Sequence, residues 1–206
     1  MIVYVETNFL LEVAFQQEEH LPCSALLAEL AGGTLDIRIP AFAIAEARLA
    51  RRRRAAERTE LLHRVQRELR ELSRAAEWSE LRAQSGALLG ALTASGEAAR
   101  GRLEAAIEAI VRGGRVLPLD AEIIARAGNV ENWFALASPD ALVFASVMQD
   151  AERVDAGAKI PPDKCFLNRN APDFTTPPVQ DELRRVSCRL LTSFRGGLAF
   201  VRPSEG

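Results

Sequence analysis

Residues 2–15 read IVYVETNFLLEVAF. Ile2, Val3, Tyr4 and Val5 are β-branched or aromatic and uncharged, which suits a short strand buried in a parallel sheet better than one with a wet face. Glu6 ends the run, and Thr7 and Asn8 follow. The spacing then changes, because Phe9, Leu10, Val13 and Ala14 fall on one stripe of a helix. A strand that turns directly into a helix opens a parallel α/β unit, and ligands bind such sheets at the carboxyl ends of the strands. Glu6 stands at that end. Burying an unpaired carboxylate there is costly unless something compensates it, and glutamate is a poor helix cap.

Working outward, the rest of the chain repeats the alternation of strand and helix. A helix over 19–31 stops at Gly32-Gly33. LDIRIP (35–40) alternates apolar and polar residues as a strand, and Pro40 is placed to open the next helix as its first residue. From Ala41 to Arg112 the pattern is helical and free of proline, with Leu61, Leu62, Val65, Leu69 and Leu72 at helical spacing. Gly86, Gly90 and the SGE at 95–97 are expected to divide it into two or three pieces. RVLPLD (115–120) reads as a strand and a helix start. SPDALVFASVMQDAE (138–152) reads as a helix with Ser138 as N-cap, Pro139 first and Asp140 in the first turn. CFLN (165–168) and CRLL (188–191) are the last strands. Strands separated by helices predict an α/β fold with a parallel sheet. Neither a repeat nor a low-complexity linker interrupts it, so a single domain over 1–206 is expected, with a helical elaboration at about 47–112.

Composition narrows the class. Hydrophobic residues at 48% and charged residues at 26% are those of a folded globular chain. The net charge of −2 excludes a polycation built for nucleic acid. Cys23, Cys165 and Cys188 have neither zinc spacing nor an even count. Met1 leads straight into the strand pattern, and no run of 18 apolar residues occurs. A cytoplasmic setting and no membrane partner are expected.

The acids carry the chemistry. Glu6 ends a strand, Glu46 lies about two turns into the helix after Pro40, Asp140 opens a helix, and Asp173 follows CFLN by a few residues. Carboxylates gathered at one sheet edge repel one another, and a divalent cation relieves that repulsion. Oxygen-only ligands favour Mg2+ or Mn2+ over zinc, and two such metals suit phosphoryl transfer. His20, His63, Ser24 and Ser138 lie in no nucleophile motif.

The order YVETN, IPAFAIAEA, SPDALVFASV and CFLNRNAPDF, spanning residues 2 to 174, resembles the PIN-domain family of nucleases. The resemblance implies a PIN-like α/β/α fold, an Mg2+- or Mn2+-dependent endoribonuclease, and a toxin of a toxin–antitoxin pair with an antitoxin as protein partner. It assigns Glu6, Glu46 and Asp140 to the metal-binding acids and Thr7 and Asn8 to orienting the first of them. Two positions depart from the family pattern. Glu6 replaces the usual Asp, and the fourth acid falls on Asn170, whose carbonyl oxygen would serve as a neutral ligand with Asp173 supplying the charge. These departures motivate an alternative, a degenerate PIN domain that binds RNA or protein without cleaving. An Asp-nucleophile phosphohydrolase is disfavoured, since no Asp-x-Asp follows the first strand.

Residues 51–74 hold nine Arg against four Glu, a net of +5, so the remainder carries −7. Arg51, Arg52, Arg53 and Arg54, with Arg169, are the candidate RNA contacts. The rival reading makes this helix a solvated face or a surface that docks a partner, including a second subunit in a homodimer.

Overall fold

A computed structural model of the chain describes residues 1–78 and 81–202. Five parallel strands form one sheet: β1 (Ile2–Val5), β2 (Asp36–Pro40), β3 (Arg115–Leu117), β4 (Lys164–Leu167) and β5 (Cys188–Leu191). Their order is β3-β2-β1-β4-β5. The chain adds strands to one side of β1 and then to the other, so the topological switch point lies between β1 and β4, where α/β sheets open a ligand crevice. In register, Val5 of β1 pairs with Leu167 of β4. Glu6 and Asn168 therefore leave the sheet side by side.

Helices cover both faces. On one lie α1 (Thr7–Phe15), α2 (His20–Ala31) and α9 (Phe194–Val201), with Phe9 of α1 edge-on to Phe194 of α9 at 5.6 Å. Leu167 presses so closely on Gly197 of α9 that a methyl group there would sit 2.6 Å from its side chain. The other face is covered by α6 (Ser138–Gly157), which packs on α5 (Ala121–Phe134). Tyr4 donates to Asp150 of α6 at 2.8 Å, and Phe166 meets Phe174 of the short α7 (Ala171–Phe174), which touches Phe144 of α6. At the edge beyond β4, α8 (Pro177–Arg185) leads into β5 and completes the sheet.

Strand polarity does not follow exposure. Arg38 of β2 falls at a polar position of the alternation, yet it is buried beneath α6 and held by Asp36 and Asp150 at 2.7 and 2.6 Å. Lys164, fully buried in β4, is paired with Asp155. Both charges are compensated, as burial requires.

Several local expectations are corrected. Pro40 is the last residue of β2 and the cap of the next helix, which starts at Ala41. Ser138 is the first helical residue of α6, and Ala137 caps it without a side-chain bond. The stretch from Ala41 is divided once, between α3 (Ala41–Leu72) and α4 (Leu81–Gly113), with a 3-10 turn at Ala76–Trp78. Gly86, Gly90 and Gly96 all lie inside α4. A glycine costs a helix about 1 kcal/mol, which the alanine-rich neighbours and pairing with α3 offset.

That pairing forms an arm. The described buried residues of α3 end at Ala47, and those of α4 begin at Ala99. Beyond them the two helices touch mainly each other. Half-buried Ala55, Arg58, Leu62 and Leu69 of α3 face half-buried Leu89, Leu92 and Gly96 of α4 at coiled-coil spacing. The leucines of α3 thus split into two stripes, since Leu61, Val65 and Leu72 stay exposed.

Candidate active site

Glu6 occupies the β1–α1 turn with extended backbone, φ −128° and ψ −170°. Its Oε2 accepts the backbone N–H of Asn8 at 2.9 Å, so it does cap α1. Its Oε1 is buried with no hydrogen-bond partner. Burial pushes this carboxyl up most strongly, the Asn8 bonds pull it down, and Glu46 and Asp140 push it up again, for a net rise to about 7.

Glu46 and Asp140 join Glu6 in one cavity of about 490 Å³, lined also by Thr7, Asn8, Arg53, Arg169 and Asn170. Glu46 reaches it because α3 begins directly at the end of β2. Asp140 reaches it because Ser138 and Pro139 start α6 beside β1. Burial raises the Asp140 carboxyl, and the Asp173 and Glu46 charges add to the rise, with an Asn170 hydrogen bond opposing it. A groove of similar size, about 500 Å³, lies between α8 and β5, but no carboxylate lines it. Volume alone does not mark the site; the convergence of acids does.

The supporting residues act differently from their sequence assignments. Asn8 does hold the first acid, through its backbone N–H. Thr7 instead donates its hydroxyl to Oε2 of Glu46, so it orients the second acid. Asn170 presents its amide nitrogen, which donates to Asp140 at 3.1 Å and to Asp173 at 2.5 Å. It faces the acids as a donor and not through the carbonyl oxygen expected of a ligand. Asp173 is exposed and does not line the cavity; Asn170 links it to Asp140. With Glu46 bonded to Thr7 and Asp140 to Asn170, no three Asp, Glu, His or Cys among the described residues form a cluster able to hold a metal as placed. The acids share a cavity, and mutual repulsion keeps uncompensated carboxylates apart.

The arginines sort by helix geometry. Consecutive residues are about 100° apart around a helix, so Arg51 to Arg54 cannot form one stripe. Arg53 lines the acid cavity. Arg54 lies over the Phe15 ring at 4.4 Å and lines an adjoining cavity with Asn8, Glu12 and Arg169. Arg51 is half-buried and Arg52 exposed, and neither lines these two cavities. Arg169 borders both cavities, anchored by Glu12 and by Glu18 at 3.5 Å. Glu12 was not singled out from sequence. It is buried and also accepts the Glu19 backbone N–H at 2.8 Å, and its signal was a lone acid inside the apolar run of α1.

No family model and no curated protein matches the chain. Among the described residues, no helix is long and apolar enough to cross a membrane. Among solved structures the chain is similar to one in the crystal structure of VapBC2 from Rickettsia felis bound to a DNA fragment from their promoter. The identity is 11%, over 93% of this chain and 98% of that one, with a TM-score of 0.41.

Proposed function

We propose that the chain is a PIN-type ribonuclease that uses Mg2+ or Mn2+ to hydrolyse RNA phosphodiester bonds. The observation that carries this reading is Glu6: a buried carboxylate with an unpartnered oxygen, at the sheet's switch point, in a cavity with two more acids. A buried polar atom without a partner is destabilising, and a cation is the group whose charge and oxygen preference fit it. Glu6, Glu46 and Asp140 would hold the metal, with Asp173 adjacent. The chemistry a bound Mg2+ or Mn2+ supplies is activation of water and stabilisation of the leaving oxygen. The chain's own part is orientation. Asn8 fixes Glu6, Thr7 fixes Glu46, and Asn170 fixes Asp140 and Asp173. Arg53, Arg54 and Arg169 place positive charge where the phosphates flanking the scissile bond would pass. A toxin role with an antitoxin partner, in the cytoplasm, follows from the same family resemblance and is part of this proposal.

The Asn170 geometry favours a second reading. An amide that bridges two carboxylates replaces part of a cation's work, as in a degenerate domain that binds RNA without cleaving it. Incubating mixed RNAs with Mg2+, Mn2+ or EDTA decides between the two. Metal-dependent cleavage is expected; RNA retention without cleavage, together with no Mn2+ binding at millimolar concentration, overturns the enzyme reading.

The arginine geometry makes its own prediction. Replacing Arg53 and Arg54 with Gln should weaken RNA binding and reduce its salt slope by about 0.7 per lost phosphate contact on single strands. The same change at Arg51 and Arg52 should leave the slope unaltered. Affinities measured at two salt concentrations check both, and equal effects from the two pairs would remove the cavity arginines from the RNA path.

A further inference from the structure

One more cavity, of about 270 Å³, opens between α5, α6 and α8, and none of the acids Glu6, Glu46 and Asp140 lines it. Its floor is Phe144 and Met148 of α6, each 1% exposed. Trp133 and Phe134, at the end of α5, form one wall. Phe134 is edge-on to Phe144 at 5.7 Å, and Phe144 meets Phe174 at 6.1 Å, whereas Trp133 stands 72% exposed on the rim. Ala135, next in the chain, ends α5 in the left-handed conformation with φ 53°, which a residue bearing a Cβ takes at a cost. Ion pairs frame the rest. Arg126 grips both oxygens of Glu152, at 2.5 and 2.8 Å, and Arg185 bonds the same carboxylate. The Nε of Arg185 also donates to Glu182 at 2.9 Å.

We infer, resting on the ribonuclease reading for the ligand, that this cavity receives one unpaired base of the RNA, stacked on Trp133, and so helps select the bond that is cut. Its volume lies below the roughly 300–1,000 Å³ of sites for drug-sized ligands, which leaves room for a single ring system. Arg126 and Arg185 balance Glu152 and Glu182, so the frame is neutral and suits a base better than a phosphate. Among the described residues, Nε of Arg126, Nη1 of Arg185 and Oε1 of Glu182 make no hydrogen bond, which leaves two donors and an acceptor at the frame. A base brings a flat face for the indole and a polar edge for these groups. An apolar side chain of a protein would cover them without replacing their water. The cavity also stands near the acids. Phe144 and Met148 lie about 6 and 12 Å beyond Asp140 along α6, and Phe174 adjoins Asp173 in the chain. A strand whose phosphate meets the acids can therefore set a flanking base against Trp133.

Trp78→Phe leaves Trp133 as the one tryptophan, so fluorescence of the full-length variant reports on this cavity. In EDTA, a mixed-sequence single-stranded RNA should quench Trp133, and a ribose-phosphate strand of the same length without bases should not. Trp133→Ala, with circular dichroism as the check on folding, should weaken RNA binding at least about tenfold, the loss of one stacked base. Its salt slope should stay as in wild type, since no phosphate contact is lost. With Mn2+, the same variant should raise KM more than it lowers kcat and spread cleavage over more sites. RNA that quenches Trp133 and is never cut would end the nuclease reading and keep the base site. RNA that is cut while Trp133 is neither quenched nor needed for affinity overturns the base site, keeps the nuclease, and leaves the cavity to a side chain of a protein partner. Equal quenching by the strand without bases overturns it as well.

Discussion

Asp140→Asn should reduce metal-dependent RNA cleavage by at least about 100-fold while leaving the metal-free protein folded and no less stable. Asp140 is half-buried in the first turn of α6, and its carboxyl is raised by burial and then by the Asp173 and Glu46 charges. Its negative charge is thus a cost to the empty fold and of use only when a cation is present. Asparagine keeps the shape and still offers an oxygen to the Asn170 amide, which now bonds Asp140 at 3.1 Å. What it removes is one of the charges that draw the metal, and a displacement of roughly 1 Å in a reacting group already costs about 100-fold. Cleavage rates and melting temperatures of both proteins, with EDTA and with Mn2+, check this. Cleavage above a tenth of the wild-type rate would remove Asp140 from the metal site. A melting temperature lowered without metal would make it a structural cap instead.

Residues 2–15 made most of this fold legible, because a short uncharged β-branched run and a change of period admit few alternatives. β4 comes near to this, with Cys165, Phe166 and Leu167 ended by Asn168, whereas β3 and β5 each carry an arginine and are placed mainly by the helices around them. α9 was harder. Its Arg195-Gly196-Gly197 looks like a turn, and only the fold explains it: Ser193 caps the helix through the Gly196 N–H at 3.1 Å, and Gly197 lets it pack on Leu167. Within the site, the gathering of Glu6, Glu46 and Asp140 in one cavity was legible, whereas Asp173 stands outside it and the hydrogen-bond partners of the acids were not legible. Thr7 adjoins Glu6 in sequence, but the end of β2 brings Glu46 to it across 39 residues. The bond from Asn170 to Asp140 likewise exists only because β4 lies next to β1. How the arginine run divides was hidden for the opposite reason. Four neighbours in sequence are not neighbours on a helix.

Glu6→Gln should separate the cost of the site from its use. Glu6 is pushed up from 4.5 to about 7, chiefly by burial. A carboxyl raised on folding leaves the native state intact at low pH and weakens it as pH climbs through both values, because the unfolded chain ionises first. Stability attributable to Glu6 is therefore full below about 4.5, is lost as pH climbs from there to about 7, and is level above that. Glutamine keeps an oxygen for the Asn8 N–H and never ionises. In EDTA at pH 8 the variant should melt higher than wild type, on the order of 5 °C for a domain of this size, and the difference should vanish at pH 4. Millimolar Mn2+ should reverse the order, since a ligand of the native state stabilises by mass action and only wild type retains the charge at the unpartnered oxygen. Melting curves at the two pH values, with and without metal, give all four results. Equal melting at pH 8 without metal would mean that Glu6 is stably ionised in the empty cavity. An equal rise with Mn2+ would place the cation somewhere other than the end of β1.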